Sequence, residues 1–250
     1  MRCHPATLKA ILTLSIIWLG TATFAQKITD HESISTAQGL SQGMIYALLQ
    51  DKEGFIWIGT KEGLNRYDGY SFKVFTNDPY DPHSISSNII RTLFEDSKGR
   101  IWAGALDAGM NVYDKKSGRF RRIMRQPGKL NSLSGNRILT ATVELPDGRI
   151  MLAPGNNSIN IISLPDDFFE NDTAPVVTRL DIPNKGLPVG IGKDDKGNIW
   201  IGCDDKRIYR FEAATNSFEL LCDGKVFTGA LAKTGTKLWS TCKVLSLDST

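Results

Sequence analysis

This 250-residue chain carries no field of one sign. Lysine and arginine number 30 against 27 aspartates and glutamates, a formal charge of +3. Nucleic acid is therefore an unsuited direct partner, because phosphate backbones are bound by concentrated positive charge. Histidines number three and cysteines four. There is no Cys-x-x-Cys pair and no histidine-rich companion set, so neither a metal site nor a cofactor is expected. A nucleophile elbow, a metal-ligand helix and a phosphate loop are all missing. Past the first 25 residues no apolar run approaches the ~20 residues of a bilayer span, and no helical periodicity of useful length appears. The whole chain is 41% apolar and 23% charged, the make-up of an ordinary folded protein.

The first 25 residues read as a targeting segment. Arg2 and Lys9 are their only charges, Ala10 to Gly20 is almost wholly apolar, and Thr21-Ala22-Thr23-Phe24-Ala25 supplies small residues before Gln26. That is the three-part pattern of a cleavable signal peptide, with cleavage after Ala25. The alternative, a membrane anchor, is too short to span. The mature chain would keep 28 basic and 27 acidic residues, with no membrane span. Export to the periplasm is expected. Cys3 leaves with the leader. Cys203, Cys222 and Cys242 remain as small apolar side chains, the alternative being one bridge and a free thiol.

A repeat organises the rest. The first copy is Asp51-Lys-Glu-Gly54-Phe-Ile-Trp57-Ile-Gly59-Thr60, then Gly63-Leu-Asn-Arg-Tyr-Asp68, then Phe72-Lys-Val-Phe75. The second is Asp96-Ser-Lys-Gly99-Arg-Ile-Trp102-Ala-Gly104, then Gly109-Met-Asn-Val-Tyr-Asp114, then Phe120 to Ile123. A worn third copy runs from Asp147-Gly148 through Met151, where Ala153-Pro154 replaces the Gly-Thr ending, to Ile159–Ile162. A clear fourth copy is Asp194-Asp-Lys-Gly197-Asn-Ile-Trp200-Ile-Gly202, and a fifth starts at Lys237-Leu-Trp239. The turn glycines Gly54, Gly99, Gly148 and Gly197 are 45, 49 and 49 residues apart.

Each copy decodes into four short strands. An alternating strand leads into an Asp-x-x-Gly turn, where glycine supplies a positive φ. The Ile-Trp-Ile-Gly run is apolar on both faces and so belongs mid-sheet. A third and a fourth strand follow, joined at Asp68-Gly69, Ser117-Gly118 or Asn216-Ser217. Four antiparallel strands at this spacing make a propeller blade. The fold expected is all-β, a β-propeller of about four and a half blades, covering 39–76, 84–124, 133–165, 187–222 and, in part, 226–250. Trp57, Trp102, Trp200 and Trp239 stand at equivalent positions, which favours wedges between blades over sugar-stacking platforms. The third blade is expected to be distorted.

These motifs resemble the two-component regulator propeller repeat of Bacteroidetes-type hybrid sensor kinases. The resemblance rests on Gly39-Leu40-Ser41, the Asp51–Thr60 and Gly63–Asp68 runs, and the linker Asp81-Pro82-His83-Ser84-Ile85-Ser86-Ser87-Asn88. It implies the extracytoplasmic sensor half of such a protein. Such a half binds polysaccharide-derived oligosaccharides, and the parent sits in the inner membrane and controls a histidine kinase and transcription. It also implies, as partners, the rest of a kinase chain or a second copy in a dimer. This chain would then be a piece of a longer sensor: an open arc of a seven-bladed propeller, the alternative being a five-bladed ring closed by Lys27–Ile34. A secreted protein-binding scaffold without signalling output is the other class of reading, and a propeller lyase or hydrolase the third.

Ligands of propellers dock on the longer, polar loops at one end of the blades. The candidates there are Lys61, Glu62, His83, Asn88, Asp107, Asn136, Asp204 and Lys206, each weighed against an ordinary solvated loop residue. Ser86-x-Asn88 and Ser134-x-Asn136 also read as turn caps. No catalytic residue is expected. Of the acid pairs Asp166-Asp167, Asp194-Asp195 and Asp204-Asp205, the second lies in the shared hairpin and reads as structural.

Overall fold

The computed structural model describes residues 34–139, 142–171, 173–194 and 196–223, together with the backbone of three strands between 231 and 246. The signal-peptide, N-terminal strand and Cys242 readings fall outside the described residues, as does the Trp239 side chain.

The chain runs up and down through sheets in which sequence neighbours are spatial neighbours. The first sheet is β1 (Ile45–Gln50), β2 (Ile56–Thr60), β3 (Gly63–Tyr67) and β4 (Phe72–Phe75), and the second is β5 (Ile90–Glu95), β6 (Ile101–Ala105), β7 (Gly109–Asp114) and β8 (Arg119–Ile123). The third holds β9 (Val143–Glu144), β10 (Ile150–Leu152), β11 (Ser158–Ser163) and β12 (Val176–Asp181), and the fourth β13 (Pro188–Lys193), β14 (Ile199–Cys203), β15 (Ile208–Glu212) and β16 (Ser217–Cys222). A three-stranded sheet follows, with β17 (Leu231–Thr234), β18 (Lys237–Ser240) and β19 (Val244–Ser246). All pairings are antiparallel. Four four-stranded blades and a three-stranded sheet make the fold an all-β open propeller arc.

Turn chemistry sets the blades. Gly54, Gly99, Gly148 and Gly197 all have positive φ, between +78° and +92°, the region that a side chain disfavours. In three of the blades strand one carries a register shift at the same place, between Ile45 and Ala47, Ile90 and Thr92, and Pro188 and Gly190. Each bulge lies opposite the glycine after the tryptophan and turns the strand. The third blade shows no register shift among the described residues of its first strand. Its second strand stops at Leu152, just before Pro154, which has no N–H to donate to a ladder. Its inner strand is two residues long.

The third blade also extends past 165, where the sequence reading closed it. Its last strand is Val176–Asp181, reached by a 12-residue connection (164–175), whereas the equivalent turns in the first, second and fourth blades have four residues. No turn glycine stands there. Instead Asp167 accepts backbone bonds from Glu170 and Asn171, and Phe168 is buried.

The core lies between blades. Trp57 packs with Ile101, Ala103, Ala105 and Tyr113 of the second blade. Trp102 packs with Leu133, Ile138, Ile150 and Ile162 of the third-blade region. The third and fourth blades share Ile159, Ile161, Ile199, Ile201 and Tyr209. Gly104 permits the close approach: a Cβ there would lie 2.3 Å from Thr92 Oγ1 and 2.6 Å from Ile138 Cγ2.

Candidate functional site

At the end of the blades bearing the β2–β3 type turns, the turns of the first three blades bond to the connector leading to the next blade. Thr60 Oγ1 accepts from Glu62 N and donates to the Gly63 carbonyl, while Gly63 N donates to the Asn88 carbonyl and Lys61 N to that of Met44. Lys61, Glu62 and Asn88 are thereby brought to one junction. Asp107 and Asn136 meet at the next, where Gly109 N donates to the Asn136 carbonyl and Arg137 Nε lies 3.8 Å from Asp107 Oδ1. Asp204 and Lys206 occupy the fourth blade's turn. Leu187 N donates to Asp204 Oδ1, and Lys206 N to the Cys203 carbonyl. His83 sits apart, its carbonyl taking a bond from Phe120 N. Among the described residues no hydrogen bond or ion pair joins one of these groups to another.

Several candidates have framework work to do. Asn88 Oδ1 accepts from Asn77 N and Asn136 Oδ1 from Arg125 N, both at 2.6 Å. Asp107 and Lys206 hold positive φ, in turns whose shape they help define. Lys61 and Glu62 are exposed. Between the third and fourth blades lies a cleft of about 300 Å³, walled among the described residues by Leu139, Ala153, Gly155, Leu187, Pro188 and Val189, with Arg137 as the one charged residue of these. None of the eight candidates lines it.

Chemically the neighbourhood is quiet. The Cys203 thiol is buried; burial, together with Asp205 and Asp204, pushes it up to about 12, so it stays protonated at neutral pH. No group of three or more metal-ligating side chains occurs among the described residues. No helix there is long and apolar enough to cross a membrane.

The opposite end holds what sequence reasoning passed over. The aspartate of the turn is buried and organises it. Asp51 Oδ1 accepts from the N–H groups of Glu53 and Phe55, and Oδ2 from Trp57 Nε1 at 2.8 Å. Asp96 repeats this with Arg100 N and Trp102 Nε1. In the third copy Leu145 and Met151 replace both partners, and both are buried. Exchanging a hydrogen-bonded pair for an apolar pair avoids leaving either group unpaired. The signal available in sequence was an aspartate six residues ahead of Trp57, Trp102 and Trp200, replaced by Leu145 ahead of Met151.

This end also latches blade to blade. Glu95 closes strand one of the second blade and accepts from Lys52 N in the first blade's turn; Glu144 does the same for Ser97 N in the second's. Lys115 Nζ lies 2.9 Å from Asp51, 3.0 Å from Glu95 and 3.2 Å from Glu53. Burial of Asp51 works against its ionised form. Its bonds from Lys115 and Trp57 overcome that and hold it below the usual carboxylate value. Burial likewise opposes the Lys115 charge, and the bonds to Asp51, Glu95 and Glu53 reverse that, so the ammonium is held well above its ordinary value.

The two component regulator propeller family matches residues 39–62 and 84–107, the turn-and-strand segments of the first two blades. A histidine kinase (P4) of Formosa agariphila is 46% identical over 55 residues, which is 22% of this chain and 4% of the kinase. The chain thus spans a small part of that relative. The extracellular domain of BT3049, assigned to a hybrid two component system of B. thetaiotaomicron, superposes with a TM-score of 0.51 at 20% identity, covering 86% of this chain and 35% of that one. Virginiamycin B lyase of Staphylococcus aureus gives 0.61 at 19% identity, covering 88% and 68%. PorZ of Porphyromonas gingivalis, a type-IX secretion component, gives 0.58 at 15% identity, covering 82% and 32%. At these identities the three structures speak for the propeller fold. Each matched segment carries a buried turn aspartate bonded to a buried tryptophan, Asp51 with Trp57 and Asp96 with Trp102, and in these segments the chain is similar to the two component regulator propeller repeat.

Proposed function

We propose that this chain is the extracytoplasmic ligand-sensing propeller of a hybrid two-component system. The observation that carries the reading is that two repeat matches, at 39–62 and 84–107, occur in a chain that is also 46% identical over 55 residues to a histidine kinase. In this reading the propeller has no catalytic task. It binds an oligosaccharide released from a polysaccharide, and a kinase core elsewhere in the parent converts occupancy into transcription. The leader-like residues 1–25 fit delivery to the periplasm. The rigid, latched blade junctions suit a sensor, because a stiff body passes a change at one blade to its neighbours.

The test is binding followed by output. Purified protein titrated with a panel of plant, algal and host oligosaccharides is expected to show saturable heat and a raised unfolding temperature with one class of sugar. The same sugar, fed to cells, is expected to induce transcription that depends on this gene. A folded protein that ignores the whole panel, in cells that respond normally without it, would sink the proposal.

A further inference from the structure

The 12-residue connection 164–175 has no counterpart in the first, second or fourth blade. In repeat proteins such insertions map to loops and often build the binding face. This one does not trail into solvent. Phe168 is buried beneath it, with the Arg121 guanidinium 4.0 Å from that ring. Arg121 also donates to the carbonyls of Phe168 and Thr173. The loop is thereby pulled over the hairpin end of the second blade, where Lys98 reaches Asp166 at 2.9 Å.

Between loop and blade lies a cleft of about 410 Å³, within the size range of small-molecule sites. Its wall offers the half-buried ring of Phe169, the carboxylates of Asp114, Asp166 and Glu170, and the ammonium groups of Lys98 and Lys116. A third cation on the wall, Arg100, is ion-paired to Asp96 beneath it at 2.6 Å. With Lys98 paired to Asp166 and Arg100 to Asp96, the charges left on the described wall are Lys116 against Asp114 and Glu170, so the cleft holds no surplus cation for an anionic ligand. It has many donors and acceptors around one apolar ring. That chemistry fits a neutral, polyhydroxylated ligand whose C–H face lies on an aromatic plane while its hydroxyls meet charged groups.

We propose that this cleft is a saccharide subsite for neutral sugars, lying at the end of the blades opposite the loop candidates. The assignment rests on the sensing reading above for the source of its ligand. The test is calorimetry of the whole chain with neutral oligosaccharides (cello-, laminari-, xylo- and manno-series) and with sulfated or uronic-acid oligosaccharides. Binding of a neutral sugar is expected. Phe169→Ala should weaken it about tenfold, the worth of one good aromatic contact. Glu170→Gln and Lys116→Ala change exposed side chains; they should weaken it severalfold while the unfolding temperature stays unchanged. Arg137→Ala, at the other end, should leave it intact. Wild-type affinity in all three cleft variants would overturn this subsite and leave the sensing reading standing. Binding confined to anionic sugars and abolished in Lys116→Ala would overturn the neutral assignment. Absence of any binding by the wild-type chain would overturn both.

Discussion

Asp51 shows how one side chain fixes a turn, a wedge and a junction together. It is buried and accepts from two backbone N–H groups, the Trp57 indole and Lys115. Asp51→Ala would orphan those donors and leave a partly buried ammonium short of one partner. A loss of about 3 kcal/mol is expected in urea unfolding. The pH dependence has a definite sign. A carboxylate held below its ordinary value, 3.8 for Asp51, stabilises the fold fully above that value and loses its contribution as pH falls through the folded-state value. Stability should therefore drop as pH falls below about 4, and the drop should be shallower in Asp51→Asn, measured by unfolding from pH 6 to pH 2. Lys115 has the opposite sign. Its contribution is complete below the ordinary lysine value and is lost only at strongly alkaline pH. At the second repeat, Trp102→Ala would open a void between blades and is expected to cost about 3–5 kcal/mol. Trp102→Phe keeps most of the packing and forfeits the bond to Asp96, a smaller loss of about 1–2 kcal/mol.

Strands are clipped to the connectors ahead of them by one repeated device. Ser41 N donates to Asn65 Oδ1, Ser86 N to Asn111 Oδ1 and Ser134 N to Asn160 Oδ1. The Asn65 and Asn111 amides return bonds to Ser41 and Ser86 Oγ and to the carbonyls of Ile58 and Ala103. All three asparagines are fully buried. Asn111→Ala is expected to cost about 2–3 kcal/mol, because it strands buried polar groups; equilibrium denaturation would read it. Gly104→Ala tests the close approach of the second and third blades. With Thr92 and Ile138 in the way, overpacking of about 1–3 kcal/mol or more is expected. The asparagines were present in the sequence as the third letter of Gly-Leu-Asn, Gly-Met-Asn and Ser-Ile-Asn. Their partners lie 24 to 26 residues upstream, and nothing local announces them. Ser86 and Ser134 read as turn caps from sequence, and their bonding runs instead to a strand of their own blade.

Along the arc the blades are not equal. The second is flanked on both sides by dense clusters around Trp57 and Trp102. The third has a two-residue inner strand and a three-residue second strand, with Leu145 and Met151 in place of the bonded aspartate and tryptophan. Local opening follows short ladders and sparse packing. Amide exchange is therefore expected to be faster at Val143 and Glu144 than at the matching positions Phe94 and Glu95, with β6 and β7 the slowest strands. Glu144→Ala removes the carboxylate that accepts from Ser97 N and Ser97 Oγ at this junction. It should raise exchange at Val143–Leu145 and at the Asp96–Gly99 turn while leaving the first blade's turn unchanged.

The repeat period, the strand order, the turn glycines and the mid-sheet place of the Ile-Trp-Ile runs were legible in the chain itself. They depend on local backbone geometry and on a two-residue alternation that each blade restates. The weakness of the third blade was legible too, in Met151 and Pro154. The extent of that blade was not. A 12-residue connection held by Arg121 and the burial of Phe168 is decided by contacts 47 and 52 residues apart. For the same reason the eight loop candidates, alike in sequence as polar residues in turns, separate in space into three junctions and one linker. The cleft beneath the third-blade loop, by contrast, gathers residues from three distant segments. Composition marks a residue as able to bind; only the packing of one blade against the next sets which residues share a surface.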